Sequence, residues 1–192
     1  MRKLILSVSV SLDGYVEGPN GDMSWMQVDN SNEWDDLFES LYQVDLYILG
    51  AGMWPEYRNH WKKQLADPNA PANEVKYAKL ADKTQHIVFS KSLKNSGWDN
   101  TIINNGDAIE EVKKLKEQPG KDIMTFGGAA FATSLLDAGL VDEYRLVIHP
   151  AIVAGGKSSF HRVKNSHKLK LVSVKQIGEL VALTYKQLNT NA

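Results

Sequence analysis

Asp122-Ile123-Met124-Thr125-Phe126-Gly127-Gly128-Ala129-Ala130-Phe131 is the stretch on which the fold turns. Asp122 to Phe126 reads as a short strand. Two glycines follow, and Ala129 to Ala138 reads as a helix closed by Gly139 as its C-cap. Glycines allow close backbone approach to a ligand, and the free N–H groups of a helix start attract phosphate. The pair reads either as a tight strand-to-helix turn or as an anion site.

Working outward, the same alternation continues. On the C-terminal side Glu143 to His149 alternates as a strand into Pro150. Leu169 to Ile177 and Leu180 to Leu188 are two further strands meeting at Gly178-Glu179, a hairpin turn. On the N-terminal side Asp107 to Gln118 is a charged helix with Ile109, Val112 and Leu115 on its apolar edge. His86 to Ser90 and Thr101 to Asn104 are short β-type runs, and Asp45 to Leu49 is a strand entering Gly50-Ala51-Gly52. Asn30 to Tyr42 reads as a helix: Asn30 and Glu33 have capping-box spacing, and Trp34, Leu37, Phe38 and Leu41 share one face. Lys62 to Asn73, polar and holding Pro68 and Pro71, reads as an excursion loop. Leu4 to Leu12, with Ser7, Ser9 and Ser11 in strict alternation, is a first strand rather than the apolar core of a signal peptide. This order predicts a single α/β domain over residues 1–192. Its sheet should be mixed and mostly parallel, with helices on both faces and antiparallel strands at one edge.

Composition narrows the function classes. The chain has 192 residues, 43% hydrophobic and 23% charged, enough to build a packed core. Its 22 basic and 23 acidic residues leave a net charge of -1, so nothing global calls for nucleic acid or an anionic membrane. Without cysteine, thiolate nucleophiles and cysteine zinc sites are excluded. No run reaches the ~20 apolar residues of a membrane-spanning helix. A cytoplasmic protein is expected.

Several local patterns bear on chemistry. Gly50-Ala51-Gly52 could open a dinucleotide fingerprint, but Pro55 stands where the third glycine belongs. The loop from Ser11 to Trp25 carries Asp13, Glu17, Asp22 and Trp25 just after a strand, where an active-site lid would sit. Its Gly, Asn and Asp residues equally suit a plain turn. His60, His86, His149, His161 and His167 form no His-x-x-x-His pair, so no metal site is expected. No Gly-x-Ser-x-Gly elbow occurs. Glu110 to Glu117 pairs opposite charges at helical spacing and reads as a solvated face. Trp54, Trp61 and Trp98 read as core or lid packing.

Taken in order, these pieces resemble the dihydrofolate-reductase-like superfamily. Most similar are stand-alone relatives of the C-terminal reductase domain of the bacterial bifunctional riboflavin-biosynthesis deaminase/reductase. The resemblance rests on Ser11-Leu12-Asp13-Gly14, the strand into Gly50 with Trp54 and Glu56, Val88-Phe89-Ser90-Lys91 and Gly127-Gly128-Ala129. It continues through Gly139-Leu140-Val141-Asp142-Glu143 into Pro150, and Gly155-Gly156-Lys157 with Phe160. It implies a three-layer fold around a mixed sheet of about eight strands, NADPH as hydride donor, and possible homodimers. By position, Gly127, Gly128 and Ala129 would hold the pyrophosphate. The turn Gly50, Ala51 and Met53 would border the phosphates, and Ser90 and Lys91 would lie near the adenosine ribose, Lys91 facing a 2′-phosphate. Ser9 and Val16 would flank the nicotinamide, with Trp25 on the mobile loop over the substrate.

The chain also departs from the family. Relatives often carry Gly-Arg-x-Thr where this sequence has Gly50-Ala51-Gly52-Met53. Riboflavin-pathway reductases carry a lysine at the position of Ser7 and a glutamate at that of Phe126. Helical geometry puts Trp34, Phe38 and Leu41 inward, with Asp35 on the border and Asp36 outward. A carboxylate serving the pocket is therefore Asp35 or Asp13, and burial would raise its pKa for proton relay. Two readings remain. One is an NADPH-dependent reductase acting on a C=N or C=O bond of a small pterin- or pyrimidine-like heterocycle. The other is a non-catalytic ligand-binding protein that keeps the fold.

Overall fold

In the computed structural model the described residues are 1–26, 34–126 and 129–188, without the side chains of Asp36 and Ala129. Eight strands form one sheet in the order β5-β4-β3-β6-β1-β7-β10-β9. These are β1 (Leu4–Ser11), β3 (Val44–Gly50), β4 (Gln85–Phe89), β5 (Thr101–Asn104), β6 (Asp122–Thr125), β7 (Glu143–His149), β9 (Leu169–Ile177) and β10 (Leu180–Gln187). A separate two-stranded ladder pairs β2 (Tyr15–Glu17) with β8 (Lys157–Ser158). The pairs β1/β7, β3/β4 and β4/β5 are parallel, whereas β10 runs antiparallel to both β7 and β9. The expected α/β class, mixed and mostly parallel, is what the chain adopts.

The chain divides into two compact units, one of residues 1–2 and 34–124 among those described, the other of 3–26, 125–126 and 129–188. In the first, β3 and β4 are almost wholly buried, as a parallel strand covered on both faces must be. Helix α1 (Asp35–Leu41) turns Phe38 and Leu41 inward beside Trp34, all under 8% exposed, as its periodicity required. Its expected Asn30–Glu33 capping box lies outside the described residues. Helix α4 (Ala108–Glu117) is capped by Asp107, whose carboxylate accepts from the amides of Ile109 and Glu110. Ion pairs Lys113–Glu110 and Lys114–Glu111 line its solvated face.

One expectation is overturned here. Lys62 to Asn73 is not a loop excursion: α2 (Trp54–Ala66) and α3 (Ala72–Lys83) occupy it, leaving only residues 67–71 as connection. Each helix buries a narrow stripe, Trp54 and Tyr57 on α2 and Ala78 and Ala81 on α3. A broad polar face hid that stripe from a reading of mean polarity. Pro68 and Pro71 mark the break between the helices, where a missing N–H costs least. Trp54, Tyr57 and Trp98 surround the fully buried His86, with ring centroids 5.3 to 5.6 Å from it.

In the second unit, α5 (Ala129–Asp137) ends in a Schellman arrangement. Leu140 N–H donates to Leu135 O at 3.0 Å and Gly139 N–H to Leu136 O at 2.9 Å, with Gly139 at φ 67°. Gly139 was the expected C-cap. Three residues later Asp142 binds the start of β1 on both sides: its carboxylate accepts from Leu4 N at 2.7 Å and its amide donates to Leu4 O at 2.9 Å. The Gly139 to Glu143 motif is thus a helix stop followed by a register pin. At the hairpin tip Gly178 takes φ 56°, as the turn between β9 and β10 requires.

Candidate functional site

In the first unit the candidate residues gather at the carboxyl ends of β3 and β4. Register sets Gly50 opposite Phe89, so the glycine turn lies beside Ser90 and Lys91. Ala51 N–H donates to Phe89 O at 3.1 Å, and Met53 N–H reaches back to Gly50 O at 3.2 Å before α2 begins. A side chain at Gly52 would meet open space. Ser90 is buried, and its Oγ accepts from the amides of Ser92 and Leu93, so the hydroxyl oxygen shapes this turn. Lys91 is exposed, and its ammonium donates to the carbonyl of Asn105. Its charge is therefore neutralised by no acid in that bond and is available to an anion.

Asp35 does not belong to that group. It opens α1 with an exposed carboxylate 2.5 Å from Lys76 Nζ, which also lies 4.5 Å over the Phe38 ring. The helical border on which it sits faces water, as the 46% exposure of neighbouring Tyr42 shows. The expectation of a buried carboxylate fails at this position, where the side chain is exposed and its partner is a surface cation.

In the second unit the loop after β1 is fastened to residues 151–159. Ser11 Oγ donates to Asp13 Oδ1 at 2.6 Å and accepts from Tyr15 N–H at 2.9 Å. Asp13 also accepts from Val153 N–H at 3.1 Å and Ala154 N–H at 2.8 Å. Leu12 N–H donates to Ala151 O, and Ser159 donates to Gly14 O through both its amide and its hydroxyl. The bond from Ser11, with those from Ala154 and Val153, holds the Asp13 carboxyl below the usual carboxylate range. That is the opposite of the raised value expected for a proton relay: Asp13 is exposed and its oxygens are occupied by donors. A β-carbon on Gly156 would come within 2.1 Å of Glu17 O, so the Gly155-Gly156-Lys157 motif exists because the two loops touch backbone to backbone. Lys157 closes the join with an ion pair to Glu17 at 2.5 Å. Val16 is half-buried in β2 within this join. Ser9 is half-buried on β1, in register with Val147.

Trp25 ends the loop. Its indole N–H donates to Asp22 O at 3.1 Å, and its ring meets His149 edge to face, centroids 5.5 Å apart. His149 is buried at the end of β7, in register with Ser11, and burial pushes its pKa down, which favours the neutral ring. Sequence reasoning left His149 among the scattered histidines. Its place just before Pro150, at the end of a strand, was the signal that could have singled it out. Gly127 and Gly128 lie outside the described residues, and Ala129 is described only as the first residue of α5. Among the described residues no group of acids and histidines could hold a metal, and no helix is long and apolar enough to cross a membrane.

The chain is 36% identical over 174 residues to the uncharacterized protein YyaP of Bacillus subtilis (strain 168), spanning 91% of this chain and 88% of that protein. It is 28% identical over 185 residues to the uncharacterized protein YwjB of the same strain, covering 96% and 97%. The fold matches that of a diaminohydroxyphosphoribosylaminopyrimidine deaminase/5-amino-6-(5-phosphoribosylamino)uracil reductase from Thermotoga maritima, with a TM-score of 0.70 and 16% identity. That likeness covers 97% of this chain and 57% of the larger protein. The model of the RibD C-terminal domain matches residues 2–183, nearly the whole sequence, and the chain belongs to that family.

Proposed function

We propose that the chain is an NADPH-dependent reductase that transfers hydride to a C=N or C=O bond of a small pterin- or pyrimidine-like heterocycle. The observation that carries this reading is the register of β3 and β4, which sets the Gly50 turn beside Ser90 and the available charge of Lys91. Parallel α/β sheets bind ligands outside such carboxyl ends, and a chain of the RibD C-terminal domain family offers a dinucleotide as that ligand.

The residues of the first unit suit one end of the group. Lys91 supplies a cation for a 2′-phosphate, and the open space at Gly52 admits a ligand close to the backbone beside Ala51 and Met53. Ser9 and Val16, both half-buried, are assigned to the nicotinamide, and Gly127, Gly128 and Ala129 to the pyrophosphate. When bound, NADPH supplies the hydride. The chain's own part is to orient the acceptor and shield it from water, with Trp25 on the loop over it. Asp13 serves by positioning rather than by donating a proton, and Asp35 remains in its surface ion pair. In this reading water provides the proton.

A second reading, a ligand-binding protein without turnover, is favoured by Ala51 and Met53, which place neither a cation nor a hydroxyl in the Gly50 turn. Titration with NADPH and NADH, followed by tryptophan fluorescence, separates the two when paired with NADPH oxidation across pterins and aminopyrimidines. Binding with turnover is expected. Binding without turnover on any of them favours the second reading, and absence of binding to either nucleotide overturns the reductase reading.

A further inference from the structure

Along β1 and β7 strand alternation puts the odd-numbered side chains on one face of the sheet. The parallel register sets Ser7 beside Arg145, Ser9 beside Val147 and Ser11 beside His149 on that face. The opposite face takes Leu6, Val8 and Val10 of β1, all buried. Ser9, assigned above to the nicotinamide, therefore shares a face with His149, the last residue of β7. Of the six paired side chains on that face, His149 alone carries a ring.

The ring stands on a fixed base. His149 is 1% exposed, and its carbonyl accepts from Ala151 N–H at 2.8 Å, which closes a tight turn over Pro150. Ala151 O in turn accepts from Leu12 N–H at 2.8 Å. Trp25 comes to this ring from a more open segment, for residues 19 to 24 are all exposed. Asp22 O orients the indole by accepting from its N–H, and it also accepts from Gly18 N–H at 2.8 Å. The planes of Trp25 and His149 then meet at 88°, the edge-to-face arrangement that aromatic rings prefer. Exposed neighbours bury little, so the ring pair carries much of what holds Trp25 down.

We propose that His149 is a positioning residue, its ring being the seat on which the indole of Trp25 rests over the heterocycle. This rests on the assignment of Trp25 to the loop over the acceptor. His149 acts through Trp25 and takes no part in the hydride step. Ser9 and His149 share a face of the sheet, so an indole held against His149 lies on the side of the sheet where the nicotinamide is assigned.

Acrylamide quenching of tryptophan fluorescence on the whole chain tests the seat without any substrate. Each protein is measured against the same chain carrying Trp25→Phe, which isolates the emission of Trp25 among the five tryptophans. An aromatic pair of this geometry shifts an equilibrium about two- to tenfold, and His149→Ala should raise the quenching of Trp25 within that range. His149→Phe, which keeps a ring in the same place, should restore the wild-type value. His149→Leu fills the space without a ring and is the second variant should His149→Ala fail to fold.

Kinetics then test the positioning, with NADPH and whichever pterin or aminopyrimidine is reduced fastest. His149→Ala should raise KM for the heterocycle about two- to tenfold and leave KM for NADPH unchanged. A fraction of unfolded protein would instead lower kcat and move neither KM. In a chain already carrying Trp25→Ala, His149→Ala should no longer change KM, because the two residues act as one. The proposal is overturned if Trp25 stays equally shielded in His149→Ala and His149→Leu. It is also overturned if KM for the heterocycle does not move, or if it rises as much without Trp25 as with it. Failure to reduce any of the compounds sinks the reductase reading instead, and the quenching still decides whether His149 seats Trp25.

Discussion

The amide of Ala154 donates a 2.8 Å hydrogen bond to the carboxylate of Asp13, 141 residues earlier in the chain. That bond holds a non-glycine residue in the left-handed region, at φ 60°. A carboxylate accepting backbone amides makes the strong, charge-assisted kind of bond, so the loop after β1 and the loop after β7 form one fastened element.

Asp13→Asn should therefore loosen residues 151–156 rather than abolish folding. Because the folded-state pKa lies below 3.8, the fastening is complete above that pH and lost as pH falls through the folded value. Hydrogen exchange at Val153 and Ala154 should accelerate in acid for the wild type, and already at neutral pH for the variant. Equal protection in both proteins at neutral pH would show that the loop is held by other means.

Gly156→Ala tests the same join from the other side. The added methyl would meet Glu17 O at 2.1 Å and the Gly18 backbone at 2.5 Å, at a φ of 106° that alanine rarely adopts. The cost is expected to exceed about 3 kcal/mol, since backbone on both sides must move. Urea unfolding measures it. Gly14→Ala, with open space around it but φ 87°, should cost less.

His86 makes stability depend on pH. It is fully buried, its Nε2 3.2 Å from the Tyr57 hydroxyl, and desolvation lowers its pKa from 6.5 to about 4. The unfolded chain thus binds the proton more readily than the folded one, so stability is intact above pH 6.5 and falls as pH drops toward 4. The full loss amounts to about 3 kcal/mol. His86→Phe should flatten that part of the pH–stability curve. An unchanged slope between pH 6.5 and 4 in the variant would assign the effect to other groups.

Lys91→Ala should lower affinity for NADPH about tenfold or more while leaving NADH binding nearly unchanged, because only the former carries a 2′-phosphate. Fluorescence titration with both nucleotides reads the ratio. Asp35→Asn is the companion control: an exposed ion pair with Lys76 contributes little, so turnover and Tm should barely move. A large loss of turnover in Asp35→Asn would return that carboxylate to the reaction.

How far such roles could be read in advance depended on the range of the forces involved. Gly139 as a helix stop, Trp34, Phe38 and Leu41 as an inward face, and the alternation of β1 were legible because each depends on neighbours within a turn or two. The helices α2 and α3 were missed for the converse reason: their buried stripes are narrow, and polarity averaged over Lys62 to Asn73 conceals them.

By itself the sequence determined the order of the strands and helices other than α2 and α3, the turns that demand glycine, and membership of a family whose pattern spans residues 2–183. Local backbone preference and hydrophobic period decide such things, and both are written in adjacent residues. Only the tertiary structure decided that Asp13 is a fastener, that Asp35 faces a lysine in water, and that His149 meets Trp25. A carboxylate's role is set by the donors that reach it, and here they come from 41 and 141 residues away.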